Sequence, residues 1–321
     1  MPAPLPAGLS ARPAGAENLT AVLALAVRCD LAEVGQVDTT ADDLLAEWRR
    51  PGLDLAHDTV MVEAPGAVLV AYAHVYAGEE GDGWVDPEWR GRGLGTWLLR
   101  WVVERAGGQL AAAGRREGSL QAWTNHDDEG FRRLLEREGY AYERAQLVMR
   151  VELATPPPAP VWPQGVALRP FRRERDAHAV YRLVQEAFAD VEGQALRSYH
   201  QWEQFMLNRA DFDAGLWFVA VRGHAPVATA LCFDYGNEGW VRQLAVRRRE
   251  RRQGIGLALL SHAFAVFRLR GRPSAGLAVD AANSTGANRL YERAGMRVQR
   301  RFDRYVRPVR LDADDRLATR P

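Results

Sequence analysis

The chain has no lysine: all 42 of its basic residues are arginine, set against 41 acidic residues. The resulting balance of +1 speaks against a nucleic-acid coat, which needs a surplus of cations, and no nucleic-acid partner is expected. Composition leaves two origins of the missing lysine open. One is a GC-rich coding sequence; the other is selection against reactive amines or for the bidentate anion contacts of guanidinium. Cysteine is scarce as well. Cys29 and Cys232 stand alone, outside any CxxC spacing, so a disulfide framework is excluded. The seven histidines show no ligand spacing, and no metal is expected. Long apolar runs are missing too. The longest, around residues 68–73 and 257–267, reach about ten residues, where a bilayer-crossing helix needs ~20. The N-terminal fifteen residues lack the charged-then-apolar order of a secretory signal. The expectation is a cytoplasmic protein with no membrane partner.

What is present suits a globular protein. The 321 residues are 47% hydrophobic and 26% charged, enough for about two domains of ~150 residues. The chain also repeats itself. Gly8-Leu9-Ser10-Ala11-Arg12-Pro13 returns as Gly165-Val166-Ala167-Leu168-Arg169-Pro170, and Arg90-Gly91-Arg92-Gly93-Leu94-Gly95 as Arg251-Arg252-Gln253-Gly254-Ile255-Gly256. Arg133-Leu134-Leu135-Glu136-Arg137-Glu138-Gly139 returns as Arg289-Leu290-Tyr291-Glu292-Arg293-Ala294-Gly295. The offsets are 157, 161 and 156, far too long for a solenoid and right for two copies of one domain. Between the copies lie Pro156, Pro157, Pro158, Pro160 and Pro163, which favour extended backbone and supply no amide donors. The expected organisation is a first domain over 1–153, a linker over 154–165, a second domain over 166–311 and a polar tail over 312–321.

Periodicity in the second copy predicts strands at 166–169, 217–222, 227–233, 241–246, 276–279 and 297–306. Helices are predicted at 175–189, 198–207, 254–267 and 285–293. The order β-α-α-β-β-β-α-β-α-β is of mixed α/β (α+β) class. The first copy gives a similar string with shorter connections, with 67–75 read as its hairpin strands.

The segment with chemistry in it runs from the strand Leu244-Ala245-Val246 through Arg251, Arg252, Gln253, Gly254, Ile255 and Gly256 to Leu257. Glycines remove Cβ atoms where a ligand must approach the main chain. The first-turn N–H groups of the following helix lack internal partners, and with the helix dipole they suit a diphosphate. Arg251 and Arg252 add positive charge. Arg90, Gly91, Arg92, Gly93, Leu94 and Gly95 repeat the pattern before the helix of the first copy. No Lys-Ser/Thr follows, so this is not a Walker loop, and the third glycine and downstream acid of a dinucleotide fingerprint are missing.

With residues 279–283 and 288–296 in the same order, these motifs resemble the GNAT superfamily of acyl-CoA-dependent N-acyltransferases, in its tandem-domain form. The resemblance implies two GNAT-like domains, each a mixed, splayed β-sheet flanked by helices, with acetyl-CoA as cosubstrate. Its pantetheine would bond the main chain of Leu244, Ala245 and Val246, and its diphosphate would sit on residues 251–256. Asn283 and Asn288 match positions on the cofactor side, and Tyr291 the acid that protonates the departing thiolate. The chemistry agrees. A thiolate leaving group with a pKa of ~8–10 is matched by a phenol at ~10, and a backbone N–H such as that of Val246 can hold the oxyanion. Glu238 and Asp234 are the base candidates. Where several relatives carry a Glu this chain has Trp240, and Glu238 shares its face only if the strand extends that far.

The copies differ at one decisive place: Leu135 stands where the second copy has Tyr291, and leucine donates no proton. The expectation is a non-catalytic N-terminal domain and a catalytic C-terminal one, acting on the primary amine of a small molecule as a monomer or homodimer. Tyr140 and Tyr142 are the residues that would have to stand in for the missing phenol. The alternatives are a tandem acyl-CoA sensor without turnover, or an N-acetyltransferase of proteins.

Overall fold

In the computed structural model, residues 4–35, 37, 39–189, 198–209, 211–283 and 286–311 are described. The tail over 312–321 lies outside them. In chain order the first half carries β1 (Ser10–Arg12), α1 (Leu19–Val34), α2 (Ala41–Trp48), α3 (Leu55–Asp58), β2 (Thr59–Ala64), β3 (Val68–Tyr76), β4 (Glu80–Val85), α4 (Leu94–Ala112), β5 (Glu117–Asn125), α5 (Glu129–Arg137) and β6 (Ala141–Glu152). The second half carries β7 (Val166–Pro170), α6 (Arg173–Phe188), α7 (Tyr199–Met206), β8 (Trp217–Arg222), β9 (Ala225–Asp234), β10 (Gly239–Val246), α8 (Ile255–Leu269), β11 (Ser274–Asp280), α9 (Ala287–Arg293) and β12 (Arg297–Arg310).

The ten elements predicted for the second copy are present in the predicted order. Local physics explains them. In α6, Val180, Leu183, Val184 and Ala187 recur at helical spacing and are buried, while Glu174 and Asp176 complement the dipole in the first turn. A Ser198–Gln201 capping box starts α7. Strand β8 is buried on both faces, as its unbroken apolar run requires. In the first copy, residues 67–75 hold one strand and not two. β3 pairs backwards with β2 and forwards with β4 around separate turns.

The chain divides into two compact units, Met1–Arg144 with Phe302–Pro321, and Ala145–Arg301. This partition cuts across the boundaries read at 1–153 and 166–311 at the end strands alone. The reason is strand pairing. The end strand of the first unit is β12, which pairs antiparallel with β5 from Phe302↔Asn125 to Arg310↔Glu117. The end strand of the second is β6, which pairs antiparallel with β11 over seven positions. The proline-rich stretch belongs to the second unit.

The first unit's sheet runs β1-β2-β3-β4-β5-β12 and the second's β6-β11-β10-β9-β8-β7. Each has a single parallel neighbour pair, β4–β5 and β10–β11, in an otherwise antiparallel sheet. In the second unit one core joins both sheet faces, with Trp202 and Trp217 on one side of it and Phe264 and Phe267 of α8 on the other. The first unit has two smaller clusters, one around α4 and one around Trp48, Met61 and Tyr72.

Candidate active site

The site of the second unit begins where β10 leaves β11. These strands pair only at Gly239↔Ala275 and Trp240↔Gly276. From Val241 to Val246, β10 is laddered to β9 alone, so its other edge is free of β11. The N–H of Arg247 is bonded to Val227 O at 2.9 Å. By the alternation of an antiparallel ladder, the main-chain groups of Leu244 and Val246 therefore point into the gap, while those of Ala245 point toward β9. The pleat sorts the side chains. A Cβ on Gly239 would meet Phe267 of α8, so that parity faces α8. Glu238 and Trp240 face the other way: a Cβ on Gly276 would lie 3.3 Å from Glu238 Oε2 and 2.6 Å from Trp240 Cζ3. The two lie on one side, although β10 starts at Gly239 and does not itself extend to Glu238.

A feature that the sequence did not disclose lies within β10. Val241 pairs with Cys232 and Gln243 with Leu231, so Arg242 is the extra residue of a β-bulge. Gln243 accepts a hydrogen bond from Trp202 Nε1 of α7 at 3.2 Å. Arg242 stands 4.9 Å over the ring of Phe205, also of α7. A bulge is a property of pairing register, which composition and periodicity do not carry.

The cradle follows. Gly254 caps α8 with φ 88° and ψ −4°, a left-handed conformation that favours glycine. A Cβ there would meet nothing within 4 Å, which leaves approach to the main chain open. The first helical bond is Ala258 N to Gly254 O at 3.0 Å, so the amides of Ile255, Gly256 and Leu257 precede it without helical acceptors. Gly256 has a different reason to be glycine. Its Cβ position lies 3.0 Å from Leu290 Cδ2, so its small size lets α9 pack against the cradle.

The arginines of the loop divide by role. Arg251 is held in place. Its Nε donates to Val246 O at 3.2 Å and its NH2 group to Ala187 O at 2.9 Å, so it braces the loop. Gln253 accepts from Arg222 at 3.0 Å, and Arg222 also pairs with the buried Glu250. Arg252 is exposed with φ 62° and projects no such bond to a described residue.

Helix α9 brings Tyr291 and Asn288 up behind the cradle. Tyr291 is 8% exposed and its hydroxyl is not bonded to any described residue. Burial pushes its pKa up to about 12, so it stays protonated at neutral pH. Asn288 donates from Nδ2 to Ala281 O at 3.2 Å, leaving its Oδ1 buried and unpartnered. Asn283 caps the turn after β11, its N–H bonded to Asp280 O at 3.1 Å. Glu238 forms an ion pair with Arg150 of β6 at 2.8 Å. Asp234 is committed to Arg272 at 2.9 Å and to the N–H of Gly236, which gives it a structural use.

The first unit repeats the cradle closely. Gly93 caps α4 at φ 86° and ψ −7°, Trp97 N bonds Gly93 O at 3.0 Å, and Gly95 packs on Leu134 as Gly256 does on Leu290. Arg90 Nε donates to Val85 O at 3.3 Å, the counterpart of the Arg251 brace. Gly91 holds φ 75° where the second unit has Arg252, and Arg92 stacks over Trp89 at 4.7 Å. β4 meets β5 at one pair, Glu80↔Gln121. Two things are missing. The β3–β4 ladder runs from Ala71↔Val85 to Tyr76↔Glu80 without a bulge. Leu135, fully buried, fills the place of Tyr291. Tyr140 is buried in the core with an unpartnered hydroxyl, and Tyr142 is exposed and edge-on to Tyr305.

The comparisons with known proteins agree with this geometry. The family model described as "Acetyltransferase (GNAT) family" matches twice, at residues 30–140 and 177–296. A mycothiol acetyltransferase of Thermobispora bispora is 32% identical over 287 residues, covering 86% of this chain and 91% of the relative. One of Geodermatophilus obscurus is 31% identical over 301 residues, covering 88% and 91%. Among solved structures, a GCN5-related N-acetyltransferase from Sphaerobacter thermophilus superposes with a TM-score of 0.83 at 34% identity, over 97% of this chain and 99% of that one. A tandem GNAT protein from the clavulanic acid biosynthesis pathway shares the fold at a TM-score of 0.70 and 18% identity, over 95% and 99%. A splayed sheet, a glycine-capped helix start with open amides and a family match, each present twice, lead to one conclusion: the chain belongs to the GNAT family and is an N-acetyltransferase with two GNAT domains.

Proposed function

We propose that the second unit transfers the acetyl group of acetyl-CoA to the primary amine of a small molecule, and that the first unit holds a cradle without turnover. The observation that carries this reading is the pair Tyr291 and Leu135 at one place in two otherwise matching sites. The amides of Ile255, Gly256 and Leu257 hold the diphosphate, with Arg252, which bonds no described residue, as the cation beside them. The open edge of β10 holds the pantetheine through Leu244 and Val246, which brings the thioester to the splay. The amine attacks the carbonyl carbon, and a main-chain N–H directed into the gap, such as that of Val246, stabilises the oxyanion. Glu238, held by Arg150, takes the proton of the attacking ammonium, directly or through water. Tyr291 gives its proton to the leaving thiolate; a phenol kept neutral by burial suits that step.

The test is thiol release from acetyl-CoA in the presence of a panel of small primary amines. Release that depends on the amine is the expected result. Coenzyme A binding with no amine-dependent release across the panel would favour an acyl-CoA sensor. Relatives named as mycothiol acetyltransferases support a small-molecule acceptor over a protein one.

A further inference from the structure

We infer that the acceptor carries an anionic group, a carboxylate or a phosphate, in addition to its amine, and that Arg242 binds it. The inference rests on the second unit being the working acetyltransferase, and it specifies the substrate class of that site.

Three observations lead there. The first is position. As the extra residue of the bulge in β10, Arg242 is turned toward α7, with its guanidinium over Phe205, on the same face as Glu238 and Trp240. It lies two residues from Leu244, or about 7 Å along the strand, within the span of a small molecule whose amine reaches the splay. The bulge is what aims it there, and the first unit, which lacks the catalytic phenol, lacks the bulge as well.

The second is charge. Three arginines stand around this face. Arg150 pairs with Glu238 at 2.8 Å, and Arg209 grips Asp211 through two bonds of 2.7 and 2.6 Å. Arg242 forms no ion pair with a described residue; Asp211, already gripped by Arg209, attracts it only from a distance, so its charge is only partly compensated. An acceptor that arrives as a bare ammonium meets repulsion there, whereas one with an anion at its other end meets a partner.

The third is environment. The guanidinium is open to solvent, yet protein crowding removes part of its hydration and the neighbouring Arg209 opposes its charge, which together hold Arg242 below the usual arginine value. A partly dehydrated guanidinium binds an oxyanion more strongly than a fully hydrated one, and its planar fork favours two-point contact.

The test compares matched amines with acetyl-CoA saturating: glucosamine 6-phosphate against glucosamine, and γ-aminobutyrate against n-butylamine. The wild-type protein is expected to favour the anionic member of at least one pair by tenfold or more in kcat/KM, mostly through KM. The preferred pair tells phosphate from carboxylate. In Arg242→Gln the ratio falls toward one, and in Arg242→Lys it is partly kept. A wild-type ratio near one in both pairs, or a ratio unchanged in Arg242→Gln, overturns the inference. Calorimetry of the same four amines against the coenzyme A complex separates this from the acetyltransferase reading. If no amine is acetylated, that reading fails, while anion-selective binding lost in Arg242→Gln still upholds the contact and its absence still sinks it. Should Arg242→Gln fail to fold, the wild-type ratios and the lysine variant decide alone.

Discussion

The two units build the same glycine-capped helix start and differ in the side chains beside it. Their helix-capping glycines adopt almost the same dihedrals, 86° and −7° at Gly93, 88° and −4° at Gly254. Each loop is braced by an arginine bonded to the carbonyl that ends the preceding strand, Val85 or Val246. Each cradle glycine at the second helical position accommodates a leucine from the following helix. Besides Arg252 standing where the first loop has Gly91, the units differ at the far end, where the first has a regular β3–β4 ladder and Leu135 and the second has the Arg242 bulge and Tyr291. On the proposed reading, grip on a nucleotide and chemistry on its thioester are separable. The first depends on main-chain geometry that many sequences satisfy; the second depends on one phenol and one register shift.

The comparison is most exposed at Tyr291. Tyr291→Phe is expected to lower kcat by ~10²–10⁴ while KM for acetyl-CoA stays within about threefold. A variant with full kcat would erase the distinction between the units. The same residue makes a pH prediction. Because burial pushes the phenol up to about 12, kcat should show no alkaline loss from this group below pH ~10, the value of a free phenol. The sign for stability follows. A folded value above the unfolded one gives a contribution that is complete below pH ~10 and is lost as pH rises toward 12. A tyrosine-dependent fall in kcat below pH 9 would contradict the assignment.

Next comes the cradle. Gly254→Asp and Gly93→Asp place a carboxylate in the open space at each helix start, with a residue type that tolerates the left-handed region. Each is expected to remove one of two coenzyme A sites in calorimetry, and only Gly254→Asp to abolish turnover. A single site in the wild-type protein, lost in Gly254→Asp alone, would mean that the first cradle no longer binds.

Much of this was legible in the sequence. The element order of the second copy follows from periodicity, and the paired glycine loops are visible as repeats. The unit boundaries were not, because the assignment of β6 and β12 depends on pairing across more than a hundred residues, which no local pattern records. Arg251 was misread for a related reason. An arginine beside an anion loop has the composition of a ligand contact, and only the geometry reveals that the Val246 and Ala187 carbonyls occupy it. β10 begins at Gly239, one residue after Glu238, yet Glu238 Oε2 and the Trp240 ring both border the Cβ position of Gly276, which puts them on one side.

Two smaller effects sharpen the contrast. Leu135→Ala, a cavity in a fully buried position, is expected to destabilise the first unit by ~2–5 kcal/mol while kcat is unchanged when measured below the melting temperature. A large loss of kcat under those conditions would give the first unit a part in the chemistry. Arg252 holds φ 62° where the first unit has Gly91. Arg252→Gly is expected to raise stability by up to ~1 kcal/mol through relief of the left-handed strain and to weaken acetyl-CoA binding modestly through loss of that positive charge. Thermal unfolding and the KM for acetyl-CoA read the two effects separately.

The most direct measurement is a crystal structure of the full chain soaked with coenzyme A. The account predicts the diphosphate on the amides of Ile255, Gly256 and Leu257, and the sulfur within hydrogen-bond reach, ~3–4 Å, of the Tyr291 hydroxyl. A vacant turn after Val246, or a phenol directed away from the sulfur, would contradict it.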